Sequence, residues 1–121
     1  SLQSVDLSSF NTAAVTTMVQ MFYQCYSLQG INLAHTTLAA VTDNTQITNS
    51  TGSLLVCRLP QISKTFTVAG NLLTAYECNA LMGDLKDLTG LTAQTLTLTG
   101  NPGAATCNKA IGTAKNWIII T

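Results

Sequence analysis

The chain has 121 residues, of which 46% are hydrophobic and only 8% are charged, and its formal net charge at pH 7 is zero. This length and apolar fraction predict one packed domain, 1–121, and exclude an intrinsically disordered chain. Soluble proteins carry about 25% charged residues, so the polar surface must consist of Thr, Ser, Asn and Gln. The five Lys and Arg residues are scattered along the chain, which argues against a nucleic-acid partner.

The apolar runs are too short to cross a bilayer, and we expect no membrane insertion. No basic segment precedes an apolar stretch at the beginning of the sequence, as a signal peptide would require. The opening letters, "SLQSVDL", already belong to a pattern that recurs later. We therefore expect the sequence to be a mature piece, or the C-terminal part, of a longer protein.

The first elements repeat at a constant interval. "LQSVDL" at 2–7 is followed by "LQGINL" at 28–33 and by "LLVCRL" at 54–59, so that Leu2, Leu28 and Leu54 align. The alternation of apolar and polar residues predicts short strands. Self-similarity at a fixed period is the sequence signature of repeat proteins, in which neighbouring units stack.

The segments between these strands differ from each other. "AAVTTMVQMFYQC" carries apolar residues at spacings of three and four, which predicts an amphipathic helix. The matching place in the next repeat is occupied by the polar stretch "TDNTQITNSTGS" at 42–53. We predict an inserted loop there, and loops often carry recognition residues.

A second pair of matching segments has a slightly longer interval. "KTFTVAGN" at 64–71 matches "QTLTLTGN" at 94–101, which aligns Phe66 with Leu96. Both are predicted strands, and each ends in a Gly-Asn turn.

Helices are predicted after both of these strands, over 71–85 and 101–117. Asn71 or Thr74, and Asn101, are candidate N-cap residues. Each unit then consists of a strand, a turn and a helix or helical turn. No such unit can bury its apolar face alone, so the units must stack into an α/β solenoid.

The last segment, "NWIIIT", predicts a final strand. Trp117 is expected to cover the end of the stack, and Ile118, Ile119 and Ile120 form an uncharged, β-prone edge. An edge of this kind must be covered or paired. We therefore predict an assembly edge here, used in a homo-oligomer or a larger assembly, unless Trp117 covers it.

The first repeat resembles the BspA-type bacterial leucine-rich repeats, which read roughly L-x-x-L-D-L-S-x-F-[DN]-T-S-x-V-T-x-M-x-x-M-F-x-x-C. The matching positions within 2–28 are Leu2, Val5, Asp6, Leu7, Ser8, Phe10, Asn11, Thr12, Val15, Thr16, Met18, Met21, Phe22 and Cys25. Residues 28–62 follow the pattern loosely. The tail, "LTLTGNPGAATCNKAIGTAKNW", is similar to closing units of repeat proteins from gut bacteria and their phages.

The resemblance implies a leucine-rich-repeat solenoid with parallel strands on one face and helices or helical turns on the other. It also implies adhesion or receptor binding at a bacterial cell surface or at a virion surface, for example in a phage tail fibre. The bound partner would be a surface protein or a glycan. The alternative is a structural subunit of a fibre, filament or virion that has no ligand of its own.

A solenoid presents one side chain per repeat on its strand face, so outward polar residues in equivalent positions form the candidate ligand site. An equally simple interpretation is a solvated face without a partner. The candidate residues are Gln3, Asp6, Gln29, Asn32, Arg58, Thr65, Thr67, Thr95 and Thr97.

The four cysteines, Cys25, Cys57, Cys78 and Cys107, lack the close pairs that a zinc site needs. Structural, buried thiols are the favoured interpretation. The alternative is a disulfide, for which Cys78 and Cys107 would be the first partners. His35 is the single histidine and no base stands in a motif with a nucleophile, so we expect no enzyme, no metal and no cofactor.

Overall fold

The computed structural model describes residues 2–121, so Ser1 of the predicted domain lies outside the described residues. Within this range the chain forms two parallel sheets and two helices, which confirms the predicted α/β class. The first sheet pairs β1 (Gly30–Asn32) with β2 (Val56–Arg58). The second sheet has the strand order β3 (Phe66–Thr67), β4 (Gln94–Thr97), β5 (Trp117–Ile120). The two helices are α1 (Ala75–Asp84) and α2 (Ala110–Thr113).

The strand expected over 2–7 is wrong, because residues 2–7 form no strand. The two strand registers expected further along the chain are confirmed. Ile31 pairs with Cys57, as the shorter interval predicts, and Phe66 pairs with Leu96, as the longer interval predicts. All four side chains are buried. Parallel strands in register place equivalent residues beside one another, so each apolar position of a repeat continues into the next.

The helix expected over "AAVTTMVQMFYQC" is wrong. Residues 16–24 lie beside 42–50, with a β-bridge between Thr17 and Asp43 and consecutive turns over 19–24, and the N–H of Met18 donates to the carbonyl of Asp43 over 2.9 Å. Gln20 has a φ of 56°, in the left-handed region that an α-helix cannot contain. Alternate N–H groups, those of Met18, Gln20, Phe22 and Gln24, bond to the neighbouring segment instead of closing α-helical turns.

The polar stretch 42–53 is paired backbone and not a free loop. Gln46, which the repeat aligns with Gln20, has a φ of 55°, so the same turn conformation recurs at the sequence interval. Asn44 and Thr48 are buried in the places that Met and Phe occupy in the earlier segment. Because these buried places hold polar residues in one segment and apolar residues in the other, hydrophobic periodicity does not align the two segments.

Helix α1 begins at the expected cap. The Thr74 hydroxyl accepts a hydrogen bond from the N–H of Glu77 over 3.3 Å, as an N-cap residue does. The helix buries Cys78, Leu81 and Met82, which lie three and four residues apart and so share one face.

The helix expected over 101–117 is reduced to the four residues of α2, and Asn101 is not its cap. Asn101 is buried, and its Oδ1 accepts from the N–H of Leu73 over 3.0 Å. Asn71 does the same for Leu54, also over 3.0 Å. These two asparagines satisfy buried backbone groups of the preceding segment, which no strand ladder reaches.

The last strand is confirmed as β5, at the edge of the second sheet. Trp117 is buried, its indole N–H donates to the carbonyl of Lys86 over 2.9 Å, and its ring meets Phe66 edge to face at 6.2 Å. Ile118 and Ile120 are 53% and 46% exposed.

Candidate functional site

The nine residues of the candidate ligand site do not lie on one sheet. One group lies in the first sheet or in the segments beside it, and the other lies in or next to β3 and β4. The first group is Gln3, Asp6, Gln29, Asn32 and Arg58, and the second is Thr65, Thr67, Thr95 and Thr97.

Several side chains of the first group already have partners within the protein. Arg58 donates from Nε and Nη2 to the Asp84 carboxylate over 2.7 and 2.8 Å, and this bond raises the pKa of the guanidinium. Asp6 accepts from the N–H of Ser8, and hydrogen bonds from the Ser8 side chain and backbone lower the pKa of Asp6. Asn32 caps its own turn in the same way. These three side chains are therefore engaged within the fold.

A groove runs along β3. It consists of three open clefts of about 300, 270 and 300 Å³. Lys64 and Gln94 line the first two clefts, and Thr45 and Thr65 line the first and the third, so the clefts are adjacent. We call this feature the β3 groove; it is lined mainly by residues 42–46, 63–67 and 91–94.

Side chains hold the two walls of the β3 groove apart. The Asn44 amide donates to the carbonyl of Thr65 over 3.3 Å, and the Thr48 hydroxyl donates to the carbonyl of Thr67. Paired strands lie about 4.8 Å apart, and interposed side chains require a wider separation. The groove therefore opens where side chains replace a backbone ladder.

Asn44 carries an unpartnered acceptor in this wall. Its side chain is buried, with 1% exposure, and among residues 2–121 its Oδ1 has no hydrogen-bond partner. A buried acceptor without a donor costs about 1–3 kcal/mol. The corresponding Oδ1 atoms of Asn71 and Asn101 each accept a backbone N–H.

The remaining lining combines polar and apolar residues and carries one carboxylate and two ammonium groups. The Asp43 carboxylate accepts from the Thr45 hydroxyl over 2.6 Å and from its N–H over 3.0 Å, and these bonds lower the pKa of Asp43. Lys64 and Lys86 contribute the two ammonium groups. Thr, Asn and Gln residues make up most of the other lining, and Phe66, Leu88 and Leu91 add apolar surface. This chemistry suits a ligand rich in hydroxyl or amide groups.

The sequence identified only part of the β3 groove. Thr65, Thr67 and Thr97 line it, and Thr95 lies on β4 beside it. The wall formed by 42–46 was missed as a groove wall. This wall could have been predicted from Gln20 and Gln46, which are separated by the interval of the first repeat although the residues around them differ.

The other candidate residues are scattered. His35 is exposed, and within residues 2–121 no three His, Cys, Asp or Glu side chains are arranged to hold a metal ion. All four cysteines are free thiols, and burial raises the pKa of Cys57 to about 12. No helix in the described range is long and apolar enough to span a membrane.

Comparison with known proteins gave no match. No family model, no curated protein and no solved structure matches this chain.

Proposed function

We propose that the chain is a short leucine-rich-repeat solenoid of the BspA type. Two features of the backbone support this architecture. The strands pair in the registers that the two sequence intervals predict, and the left-handed turns of Gln20 and Gln24 recur at Gln46 and Ser50, one repeat further along the chain. A chain that returns to the same conformation at a fixed interval, with each return bonded to the last, is the behaviour expected of a solenoid.

We further propose that it is a non-enzymatic recognition module at a bacterial or virion surface, where it binds a host or cell-surface ligand. The observation that carries this proposal is the β3 groove, which Thr, Asn and Gln residues line from both walls. The favoured ligand is a glycan, because its hydroxyl groups both donate and accept, as the groove lining does. A surface protein that presents backbone amides is the other candidate partner.

The test is binding of the purified chain to an array of neutral and acidic glycans and of immobilised extracellular-matrix proteins. Lys64→Ala removes an exposed ammonium from the groove, and Lys109→Ala removes the same charge outside it. A hydrogen bond from a charged group contributes about 1.5–3 kcal/mol, so we expect Lys64→Ala to weaken glycan binding by about tenfold or more. Lys109→Ala should bind like the wild type. Equal affinities for the two variants would remove the groove from the proposal.

A structural role is the second candidate function, and one observation favours it. β5 is an edge strand on which Ile118 and Ile120 are about half exposed, and such an edge can pair with another chain. Light scattering over a range of concentrations tests this role. A defined oligomer that Ile118→Lys dissociates would favour a structural subunit, whereas a monomer at every concentration would favour recognition.

A further inference from the structure

Two cysteines, Cys78 and Cys107, lie in neighbouring segments that contact each other. Cys78 lies in α1, and Cys107 lies in the turn before α2. The next residues in both segments are joined, because the N–H of Asn108 donates to the Asn79 Oδ1 over 2.8 Å. Burial raises the pKa of the Cys78 thiol, and the neighbouring Cys107 thiol adds to that rise.

The backbones of the same two segments lie close together. Gly103 packs so tightly that a Cβ built on it would stand 2.1 Å from the backbone nitrogen of Ala75. The N–H of Gly103 also donates to the carbonyl of Leu73 over 2.9 Å. The loop that carries Cys107 is therefore fixed against the start of α1, on both sides of the thiol pair.

The two thiols differ in access to solvent. Cys107 is half-buried, and its Sγ donates to the carbonyl of Ala104 over 3.5 Å. Cys78 is fully buried in the core, and burial raises the pKa of its thiol to about 11. An oxidant in solution can therefore reach Cys107 first, with Cys78 next to it as the resolving thiol.

We propose that Cys78 and Cys107 form a dithiol–disulfide site that exchanges with low-molecular-weight disulfides such as oxidised glutathione. In the first step the Cys107 thiolate attacks one sulfur of the small disulfide, and a mixed disulfide forms as one glutathione thiolate leaves and takes up the proton. In the second step the Cys78 thiolate attacks the Cys107 Sγ, the mixed disulfide breaks, and the second glutathione leaves as a thiol. The protein loses two protons and two electrons, and one oxidised glutathione becomes two reduced molecules.

The resulting bond would join α1 to the following repeat. It closes a loop of about 30 residues, a size for which loop-entropy arguments give substantial stabilisation. We expect the midpoint of thermal unfolding to rise by roughly 10 °C on oxidation. Since the resolving thiol has a raised pKa, the second step should accelerate by about tenfold per pH unit between pH 7 and pH 9.

The experiment is incubation of the reduced, folded chain with oxidised glutathione at about pH 7 and about pH 9, followed by intact-mass measurement and peptide mapping. We expect a transient adduct of one glutathione, then a product lighter by two hydrogens whose cross-linked peptides contain Cys78 and Cys107. Cys107→Ser should give neither the cross-link nor the rise in unfolding temperature. Cys25→Ser, which changes the other half-buried cysteine, should behave like the wild type.

Two results would overturn the proposal. One is a Cys107–glutathione adduct that persists at pH 9 without resolving. The other is a cross-link that involves Cys25 or joins two chains in place of the expected pair. If Cys107→Ser fails to fold, the peptide map of the wild type still decides between these outcomes.

Discussion

Replacing Asn101 with Ala should destabilise the fold, because the Asn101 amide makes three buried hydrogen bonds to backbone groups. Its Oδ1 is the acceptor for the N–H of Leu73, and its Nδ2 donates to the carbonyls of Val68 and Leu98 over 2.9 Å. In Asn101→Ala both carbonyls keep another donor, Asn71 Nδ2 for Val68 and the backbone N–H of residue 101 for Leu98. The N–H of Leu73 keeps none of its present partners.

The magnitude follows from these three bonds. Two lost bonds to carbonyls cost about 1 kcal/mol each, and a buried N–H without a partner costs about 1–3 kcal/mol. We therefore expect Asn101→Ala to lower the free energy of unfolding by about 4 kcal/mol, a large part of the stability of a domain of this size. Urea denaturation followed by circular dichroism measures the change in midpoint at constant m-value.

The matched control is Asn11→Ala. Asn11 is exposed, and its Oδ1 accepts one local bond, from the N–H of Ala13 over 3.1 Å. Its removal should cost about 0.5 kcal/mol or less. A loss for Asn101→Ala that is no larger than the loss for Asn11→Ala would refute the role assigned to the buried asparagines.

Three further predictions concern backbone, pH and charge. Gln61 has a φ of 64°, so Gln61→Val should be about 1–2 kcal/mol less stable than Gln61→Gly in urea denaturation, and equal stability would contradict the left-handed turn. The hydrogen bonds from Thr45 lower the pKa of Asp43 in the folded state below its ordinary value of 3.8. The ionised Asp43 carboxylate therefore stabilises the folded state at pH values above 3.8, and this stabilisation is lost as the pH falls through the folded-state pKa. The difference in unfolding temperature between wild type and Asp43→Asn should accordingly shrink between about pH 5 and pH 2, and a pH-independent difference would be inconsistent with this cause. Arg58→Lys should lower the free energy of unfolding by about 1 kcal/mol, because Lys cannot reproduce the two-point contact with Asp84. The loss stays small because the Arg58 side chain is 31% exposed. A double-mutant cycle with Asp84→Asn should show coupling between the two residues, and additive effects would contradict the ion pair.

Local repeats in the sequence predicted the pairing of β1 with β2 and of β3 with β4, but the strand expected over 2–7 is not formed. The alignment of Phe66 with Leu96, and of Ile31 with Cys57, needs only alternation and a constant interval. Thr74 was also identifiable as an N-cap, because its function depends on residues three positions away. These features depend on interactions between residues that are close in the sequence, so the sequence pattern predicts them directly.

The turns of residues 16–24 could not be predicted by the same reasoning. Apolar residues at spacings of three and four favour a helix, but the alternate N–H groups donate to the carbonyls of 42–50. That competition depends on a neighbour one full repeat away along the chain, whose own inward residues, Asn44 and Thr48, are polar. Hydrogen bonds to a distant segment therefore outweighed the local helical periodicity. The wall of the β3 groove formed by 42–46 belongs to that distant segment, so it was not predicted either.

The proposed recognition function is tested most directly by a ¹H–¹⁵N correlation titration of the labelled chain with the glycan that binds it most strongly on the array. We expect shifts confined to amides around the β3 groove, above all those of Asn44, Thr65 and Gln94. Shifts centred on Asn32 and Arg58, or uniform loss of signal from self-association through β5, would contradict a ligand site in the groove.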